Sequence, residues 1–378
     1  MKVHHATRQC VPGPSVCGRA PGGFPIPRPP RGLPVGLMTT TPIRGLTPVL
    51  DTGRTLLGPA LREAVSSHLG PEMSRIAHYH FGWADAEGRP TGTWSGKMLR
   101  PTLALLSARA AGATDGDGLP AALAVELVHN FSLLHDDIMD GDETRRGRAT
   151  AWTVFGVPNA ILAGDAMVTA ATSVLLAARG AGALSATMSL MTATQRMIDG
   201  QTSDVEFERR EDVTLSECLR MAGDKTGALL GCACALGAEL MGAEKPLVEG
   251  LDAFGEHIGL AFQLADDLLG IWGDPDRSGK QVGADLRVRK KSLPVVAALN
   301  SPGADELRAL YLGPEPMTER TVQRVTELVE RAGGRDWAQD EAARQIASAE
   351  ERLAATGIPD DVLGELLEVA GFIVGRQL

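Results

Sequence analysis

The residues whose types and spacing are best suited to chemistry lie between Glu126 and Arg148, in the stretch ELVHNFSLLHDDIMDGDETRRGR. Its apolar residues recur every three or four positions up to about Asp140, which predicts an amphipathic helix. On that helix His129, Asp136 and Asp140 follow one stripe. Two carboxylates one turn apart repel each other by roughly 1 kcal/mol or more unless a cation lies between them. The spacing therefore indicates a divalent-cation site, and hard oxygen ligands of this kind suit Mg²⁺.

Basic residues flank this acidic helix on both sides. Arg145 and Arg146 follow the aspartates within a few residues, and guanidinium groups bind phosphate through paired N–H donors. Lys97 and Arg100 precede the helix and are three residues apart at an expected helix start, so they would point the same way. A metal ion and phosphate groups together are the first interpretation of this arrangement.

A second acidic stretch repeats the theme near the middle of the chain. A helix predicted from Leu251 to about Ile271 carries Asp266 and Asp267. Between the two acidic helices, Lys225-Thr226-Gly227 is expected at the N-terminus of a very apolar helix, where backbone N–H groups favour an anion. The two aspartate helices are therefore interpreted as two halves of one site.

The composition predicts a helical core and excludes one class of partner. The 378 residues are 44% hydrophobic but only 4% aromatic, so the core is expected to consist of Leu, Ala, Val and Met. Such a composition favours helices. A net charge of −10 argues against nucleic-acid binding, which needs a basic face. The five cysteines form no disulfide or zinc pattern, and buried thiols at Cys232 and Cys234 fit a reducing cytoplasm. No uninterrupted apolar run reaches the roughly 18 residues of a transmembrane helix.

Residues 1–45 differ from the rest of the chain. They contain no acidic residue and are dense in Pro, Gly and Arg, so we expect them to be disordered. No long apolar stretch suggests a secretory signal, the arginines resemble a transit peptide only loosely, and Met38 is an alternative start. A single all-α domain is predicted for residues 46–378.

The order of these motifs resembles the trans-polyprenyl diphosphate synthase family over roughly residues 48–378. The matching segments are Gly96-Lys97-x-x-Arg100-Pro101, Leu133-Leu134-His135-Asp136-Asp137-x-x-Asp140, Arg145-Arg146-Gly147-x-x-Thr150, Lys225-Thr226-Gly227 and Phe262-Gln263-x-x-Asp266-Asp267. The resemblance implies an all-α bundle of antiparallel helices around a deep central cavity, normally as a homodimer. It also implies that the two aspartate motifs face each other across the cavity mouth.

The resemblance further implies a role for each matching residue. Three Mg²⁺ ions, for which Mn²⁺ can substitute, would be bound by Asp136, Asp140 and Asp266, with support from Asp137 and Asp267. The allylic diphosphate (dimethylallyl, geranyl or farnesyl) would be contacted by Arg145, Lys225, Thr226, Gln263, Lys280 and Lys290. Isopentenyl diphosphate would be bound by Lys97, Arg100, His129 and Arg146. The implied reaction is condensation of the two substrates, with release of diphosphate.

Two segments depart from the family pattern. The second aspartate motif reads DDLLG, so Gly270 stands where its last aspartate is expected, and metal binding there would depend on Asp266 and Asp267. A later family glycine is replaced by Arg289, although Lys290 still matches.

Product length in this family depends on residues one turn before the first motif, which are Phe131 and Ser132 here. One aromatic residue beside a small one resembles enzymes that stop at C20. Geranylgeranyl diphosphate is therefore the predicted product, with C15 and with C25 or longer as alternatives.

Three other functions compete with this interpretation. A class I terpene cyclase would share the first aspartate motif but would not need a second diphosphate site. A non-catalytic subunit of a heteromeric synthase would generally lose an aspartate motif, and both are recognisable here. A purely structural helical protein would leave inward-facing aspartates uncompensated, which costs several kcal/mol per buried ion. A cytoplasmic homodimer that acts on small diphosphates is the expected form.

Overall fold

The computed structural model describes residues 46–91, 98–273 and 282–375, with side chains from residue 55 onward. The predicted tail at 1–45, the phosphate-binding candidates Lys97 and Lys280, and Asp274 lie outside these ranges. The predicted domain boundary near residue 45 therefore stays a prediction.

The described chain is built almost entirely of helices. The N-terminal half contains α1 (Leu46–His68), α2 (Pro71–His80), α3 (Leu99–Ala110), α4 (Asp115–Met139), α5 (Ala151–Phe155), α6 (Val157–Leu176) and α7 (Ala183–Phe207). The C-terminal half contains α8 (Leu215–Ala222), α9 (Ala228–Leu240), α10 (Lys245–Trp272), α11 (Ala284–Arg287), α12 (Leu293–Leu299), α13 (Asp305–Leu312), α14 (Glu319–Arg331), α15 (Gly334–Ala354) and α16 (Asp360–Gly375). The predicted all-α class is confirmed.

The only strands in the described ranges form one short hairpin between α4 and α5. Strand β1 (Thr144–Arg145) pairs antiparallel with β2 (Arg148–Ala149), and Arg145 lies opposite Arg148. The hairpin is too short to show period-two hydrophobic alternation, so no strand signal was available.

Helix starts follow from local capping. Thr114 accepts a hydrogen bond from the backbone N–H of Asp117, whose side chain in turn accepts from the Thr114 backbone. This capping box fixes the start of α4, the helix that carries the first aspartate motif. Thr214 and Glu217 form a second capping box at the start of α8.

One hydrophobic core connects most of the helices. It contains buried Leu, Ala and Val side chains from α1 to α16, as the composition predicts, and Cys232 and Cys234 are buried in it as free thiols. Helix α4 packs against α3, α6 and α9, whereas α10 packs against α9 and α15. A Cβ at Gly237 would lie 2.1 Å from the carbonyl oxygen of Ala104, so this glycine is required where α9 crosses α3.

Helix α6 is the one described helix that is long and apolar enough to cross a membrane. The mean hydropathy of an 18-residue stretch of this helix is 1.4, and 39% of that stretch is buried. Core helices of soluble proteins meet the same criterion.

The segment around Lys225 differs from its prediction. Residues Gly223–Gly227 form a π-helical turn between α8 and α9, and the flanking residues Ala222 and Ala228 are also helical. Lys225 and Thr226 thus lie inside a continuous helix, so the predicted helix N-terminus at this point is wrong. A π turn changes the side-chain directions of the turn it occupies, and such turns are frequent at functional sites.

Candidate active site

The adjacent aspartates of the first motif have different environments. Asp136 is half-buried, and Asp140 is exposed at the C-cap of α4. Asp137 is only 1% exposed, and its Oδ1 accepts a hydrogen bond of 2.6 Å from Nε of Arg145. Asp136 and Asp140 are therefore accessible, whereas Asp137 holds the arginine of the hairpin.

Electrostatics at the first motif favour an added cation. Burial raises the pKa of Asp136 to about 6, the ammonium of Lys225 opposes this, and the charge of Asp140 adds to it. The pKa of Asp140 is raised as well, first by burial. A divalent cation between the two carboxylates would stabilise their ionised forms. The oxygen donors present thus fit Mg²⁺.

The second motif repeats this division of roles on α10. Asp266 is half-buried, whereas Asp267 is 2% exposed. Asp267 Oδ1 accepts from Nε2 of Gln263 at 2.9 Å and lies 3.3 Å from Nζ of Lys290. Its Oδ2 accepts from the backbone N–H of Leu293 at 2.8 Å, at the start of α12. Asp267 therefore joins three segments, and Asp266 is the accessible carboxylate.

The π turn extends this network toward α7. Thr226 Oγ1 donates to Oε1 of Gln263 at 2.9 Å, and Lys225 Nζ donates to Oδ2 of Asp204 at 2.5 Å. A Cβ at Gly200 would lie 2.3 Å from the backbone nitrogen of Lys225, so α7 approaches the turn closely. Asp204 fixes the ammonium in a position to act on the first motif.

The structure brings the two aspartate motifs into one electrostatic site. The charge of Lys225 lowers the pKa of both Asp136 and Asp140 against the effect of burial. Lys290, which is bound to Asp267 of the second motif, acts on Asp140 in the same direction. Lys225 and Lys290 therefore act electrostatically on the first motif while each is paired with a carboxylate of another segment, Asp204 and Asp267 respectively.

The hairpin after α4 presents the arginines. Arg146 and Gly147 have φ values of 54° and 74°, the left-handed pair expected of a two-residue hairpin turn. A non-glycine residue there is strained, and such strain is found mainly at functional positions. Arg148 Nη1 donates to the carbonyl oxygen of Tyr79 at 3.0 Å, and the Tyr79 hydroxyl donates to that of Ala149 at 2.8 Å. Helix α2 thereby holds the strained turn in place.

A small cavity of about 20 Å³ lies behind the hairpin. Its lining includes Tyr79, His80, Asp137 and the three arginines Arg145, Arg146 and Arg148. Among the described residues, Oδ2 of Asp137 and Nε2 of His80 are buried without a hydrogen-bond partner. The volume suffices for one water molecule, and such a water can satisfy buried polar atoms of this kind.

A second basic cluster lies deeper along α4. Arg100 Nη1 is 3.3 Å from Nε2 of His129. Burial, followed by the charges of Arg100 and Arg146, keeps the pKa of His129 well below its usual value, so the ring is neutral at pH 7. Glu126 is buried beside these cations and accepts from Nδ2 of Asn130 at 2.9 Å. The predicted grouping of Arg100, His129 and Arg146 is thus present in the described chain, with an acid that partly balances their charge.

Of the two predicted product-length residues, Phe131 lies on the side of α4 that faces α6. Phe131 is 7% exposed and packs edge-to-face on His135, with ring centroids 4.8 Å apart. Gly164 of α6 provides the space, because a Cβ there would lie 2.4 Å from Nε2 of His135 and 3.3 Å from the Phe131 ring. Ser132 is half-buried, and its hydroxyl donates to the carbonyl oxygen of His129.

Sequence reasoning did not single out several charged residues of the site. Glu126, Asp204 and Asp285 act mainly through a lysine or arginine partner from another segment. Glu126 offered a signal because it lies one turn before His129, and Asp204 offered one because it lies one turn after another polar residue, Gln201. Partners distant in sequence cannot be paired without the fold.

The described acidic side chains do not form a complete metal site by themselves. Within the described ranges, no three His, Cys, Asp or Glu side chains are grouped closely enough to hold a metal by themselves. Magnesium usually takes one or two carboxylates, with waters and substrate phosphates as its other ligands. Two accessible aspartates on α4 and one on α10 suit that mode of binding.

Known proteins resemble this chain along most of its length. The polyprenyl synthetase family model matches residues 91–329. A (2E,6E)-farnesyl diphosphate synthase of Mycobacterium bovis is 44% identical over 351 residues, which cover 92% of this chain and 98% of that protein. A geranylgeranyl diphosphate synthase of Mycobacterium tuberculosis is 45% identical over 333 residues, which cover 87% of this chain and 93% of that protein.

The fold comparison agrees with the sequence comparison. The crystal structure of a polyprenyl synthetase from Streptomyces coelicolor is 49% identical, with a TM-score of 0.82 over 87% of this chain and 99% of that one. The family binds divalent metals, and solved relatives contain magnesium or calcium together with isoprenyl diphosphate. The chain belongs to the polyprenyl synthetase family and is a prenyltransferase, a polyprenyl diphosphate synthase that condenses isopentenyl diphosphate with an allylic diphosphate.

Proposed function

We propose that the product of this enzyme is geranylgeranyl diphosphate, with a C20 chain. The observation that carries the proposal is the pair Phe131 and Ser132, one turn before Asp136. A growing prenyl chain that passes down this side of α4 meets one aromatic ring rather than two. The growing chain would therefore be stopped later than by two adjacent aromatic residues. The residues that stop the chain are called the floor of the site.

The packing of Phe131 supports this proposal. Its ring is held between His135 and the glycine surface of α6, so it has little freedom to swing aside. A rigid floor gives a defined chain length, because a further C5 unit would require the ring to move. Ser132 leaves the neighbouring position open.

Farnesyl diphosphate is the second candidate product. It is favoured by the farnesyl diphosphate synthase relative, which is almost as similar to this chain as the geranylgeranyl diphosphate synthase relative, at 44% and 45% identity. The family assignment gives no support to a terpene cyclase or a non-catalytic subunit.

The proposed metal ligands are the accessible carboxylates Asp136, Asp140 and Asp266, which would share three Mg²⁺ ions with the allylic diphosphate. Bound Mg²⁺ neutralises the leaving diphosphate and so favours cleavage of the allylic C–O bond. Asp137 and Asp267 orient Arg145 and Lys290 instead of binding metal directly. This assignment is supported by the burial of both second aspartates and by their hydrogen bonds.

The basic residues divide between two diphosphates in this proposal. Arg145, Lys225, Thr226, Gln263, Lys280 and Lys290 would bind the allylic diphosphate, whereas Lys97, Arg100, His129 and Arg146 would bind isopentenyl diphosphate. Preorganised cations stabilise the charge that develops on the leaving group. Holding the two substrates together removes much of the entropic barrier. The proton lost from isopentenyl diphosphate would pass to the departing diphosphate.

We further propose that the enzyme is a cytoplasmic homodimer. Helices α6 and α7 expose large apolar side chains, including Leu162 (53%), Leu176 (54%), Leu184 (67%) and Met188 (64%). Exposed apolar surface of this extent on a soluble protein usually marks an interface. A twofold dimer would bury the same helices of both copies.

A product assay tests the C20 proposal. Purified protein, Mg²⁺ and labelled isopentenyl diphosphate are incubated with dimethylallyl, geranyl or farnesyl diphosphate, with and without EDTA. Chain lengths are read by chromatography after dephosphorylation. An EDTA-sensitive C20 alcohol is expected from all three starters. Accumulation of a C15 alcohol from the two shorter starters, without C20, would establish the farnesyl alternative.

A further inference from the structure

The second aspartate motif lacks a carboxylate at its last position, where Gly270 stands. A Cβ at residue 270 would lie 2.2 Å from Oδ2 and 2.4 Å from Cγ of Asp285. Both distances are far below the van der Waals separation of about 3.5 Å. The carboxylate of Asp285 therefore occupies the space into which a side chain at residue 270 would extend.

Local structure fixes Asp285 in this position. Gly283, with a φ of 71°, precedes α11 and donates its N–H to the carbonyl oxygen of Ile271 at the end of α10. The N–H of Lys290 donates to the carbonyl oxygen of Asp285 at 3.0 Å. Asp285 is 8% exposed. Its position is therefore determined by the backbone on both sides.

Asp285 and the second motif share one cation. Nζ of Lys290 lies 3.3 Å from Oδ1 of Asp267 and 3.5 Å from Oδ2 of Asp285. A buried carboxylate needs a partner charge and hydrogen bonds to stay ionised. With two carboxylates on one ammonium, the position of Lys290 depends on both.

We propose that Asp285, which lies in α11, takes the place of the third carboxylate of the second aspartate motif. In this role it positions Lys290 and Asp267 for the metal-bound diphosphate. This inference rests on the proposed function of Asp266 and Asp267. It explains how a motif that ends in glycine retains three acidic groups at one end of α10. Asp285 is a positioning residue, because it acts through Lys290.

The test moves the carboxylate from one segment to the other. Asp285→Asn removes the charge, Gly270→Asp adds a second carboxylate into occupied space, and the double variant Gly270→Asp/Asp285→Gly keeps one carboxylate but supplies it from α10. Two properties are measured without catalysis: the thermal unfolding temperature in EDTA, and calorimetric binding of inorganic diphosphate with Mg²⁺.

Distinct results are expected for the three variants. Asp285→Asn weakens diphosphate binding about tenfold or more, in the range found when partners of metal ligands are removed. Gly270→Asp lowers the unfolding temperature, because its Cβ collides with Asp285. The double variant recovers most of the unfolding temperature and binds diphosphate within about threefold of the wild type, so the effects of the two substitutions are not additive.

A further double variant separates the effect of the steric collision from the effect of losing the carboxylate charge. Gly270→Ala/Asp285→Gly relieves the collision without restoring a carboxylate, so its unfolding temperature should recover while diphosphate binding stays weak. Asp340→Asn, on the exposed face of α15, should change neither property.

Three results would overturn the proposal: wild-type diphosphate binding in Asp285→Asn, additive losses in the double variant, or full binding by the alanine control. The proposed function is tested separately by the product assay. A wild-type protein that makes no prenyl product would contradict that function, and the carboxylate exchange would still be read from binding and unfolding.

Discussion

At the scale of single residues, each aspartate pair combines an accessible carboxylate with a buried one. Asp136 and Asp266 are accessible, whereas Asp137 and Asp267 are fixed by Arg145 and Lys290. Adjacent residues on a helix point about 100° apart, so one of them can face the site while the other faces the protein. In the proposed site, the doubled aspartate would therefore provide both a metal ligand and a support for the neighbouring arginine or lysine.

Asp136→Asn should lower kcat by at least about 100-fold, because it removes a carboxylate at the point where metal-stabilised charge develops. The variant should fold normally. In EDTA its thermal unfolding temperature should equal or exceed that of the wild type, because a repelled and half-buried charge is lost. Steady-state kinetics and calorimetry measure the two effects.

The matched control is Asp137→Asn, one residue further along. It removes the negative charge that faces Arg145 and should destabilise the metal-free protein by about 1–3 kcal/mol, the usual cost of losing a buried charged partner. Near-normal turnover in Asp136→Asn would rule out its proposed metal role.

Asp252 on α10 should make stability depend on pH. Burial, followed by the charge of Glu256, raises the pKa of Asp252 to about 6, although Arg196 opposes the shift. Since the folded-state pKa exceeds the unfolded value, the folded state binds the proton more tightly. Stability from this group is therefore complete below about pH 4 and lost as the pH rises through about 6.

Asp252→Asn should accordingly stabilise the protein at pH 7.5 by about 1–2 kcal/mol, given 1.36 kcal/mol per pKa unit and partial solvent access. At pH 4 the variant and the wild type should be equally stable. Urea unfolding at both pH values measures this difference, with Asp340→Asn as the exposed control. A stabilisation that is the same at both pH values would contradict the assignment to the carboxyl group.

At the scale of elements, α4 and α6 form the proposed floor of the site. Gly164 lets His135 enter the helix interface, and His135 in turn supports the ring of Phe131. The His135 ring Nε2 lies 3.1 Å from the carbonyl oxygen of Ile161. The aspartate motif and the floor are thus connected through one side chain that directly precedes Asp136.

Phe131→Ala should lengthen the product by one or more C5 units, because it removes the ring from the path of the growing chain. It also leaves a cavity, so a loss of stability of about 3–5 kcal/mol is expected. Product chromatography at 20 °C measures the first effect. Phe131→Leu is the milder control and should shift the product less. An unchanged chain length in folded Phe131→Ala would place the floor elsewhere.

At the scale of the whole molecule, the exposed apolar residues of α6 and α7 distinguish one face of the protein. Met188→Lys would place a charge within the proposed twofold interface, where burial without a partner costs several kcal/mol. The variant should be monomeric by size-exclusion chromatography with light scattering at concentrations where the wild type is a dimer. Arg344→Glu, on the exposed side of α15, is the charge-change control. Wild-type protein that is monomeric would exclude the interface.

The sequence by itself determined the helical class, the two acidic helices and the candidate residues around them. Helical periodicity and motif order are local properties, and they are strong in α4 and α10. They predicted a helix that ends near Asp140 and another that ends near Ile271, and the structure contains both as α4 and α10. The buried thiols Cys232 and Cys234 also followed from the composition.

Only the tertiary structure decided which carboxylates are accessible and which charges pair. Lys225 with Asp204, Arg145 with Asp137, and Asp285 beside Gly270 are contacts between different segments, and no local pattern encodes them. The π turn and the strained hairpin were likewise unpredictable, because packing against α7 and α2 stabilises conformations that the local sequence does not prefer. The residue types came from the sequence, but their division into ligands and supports depends on burial.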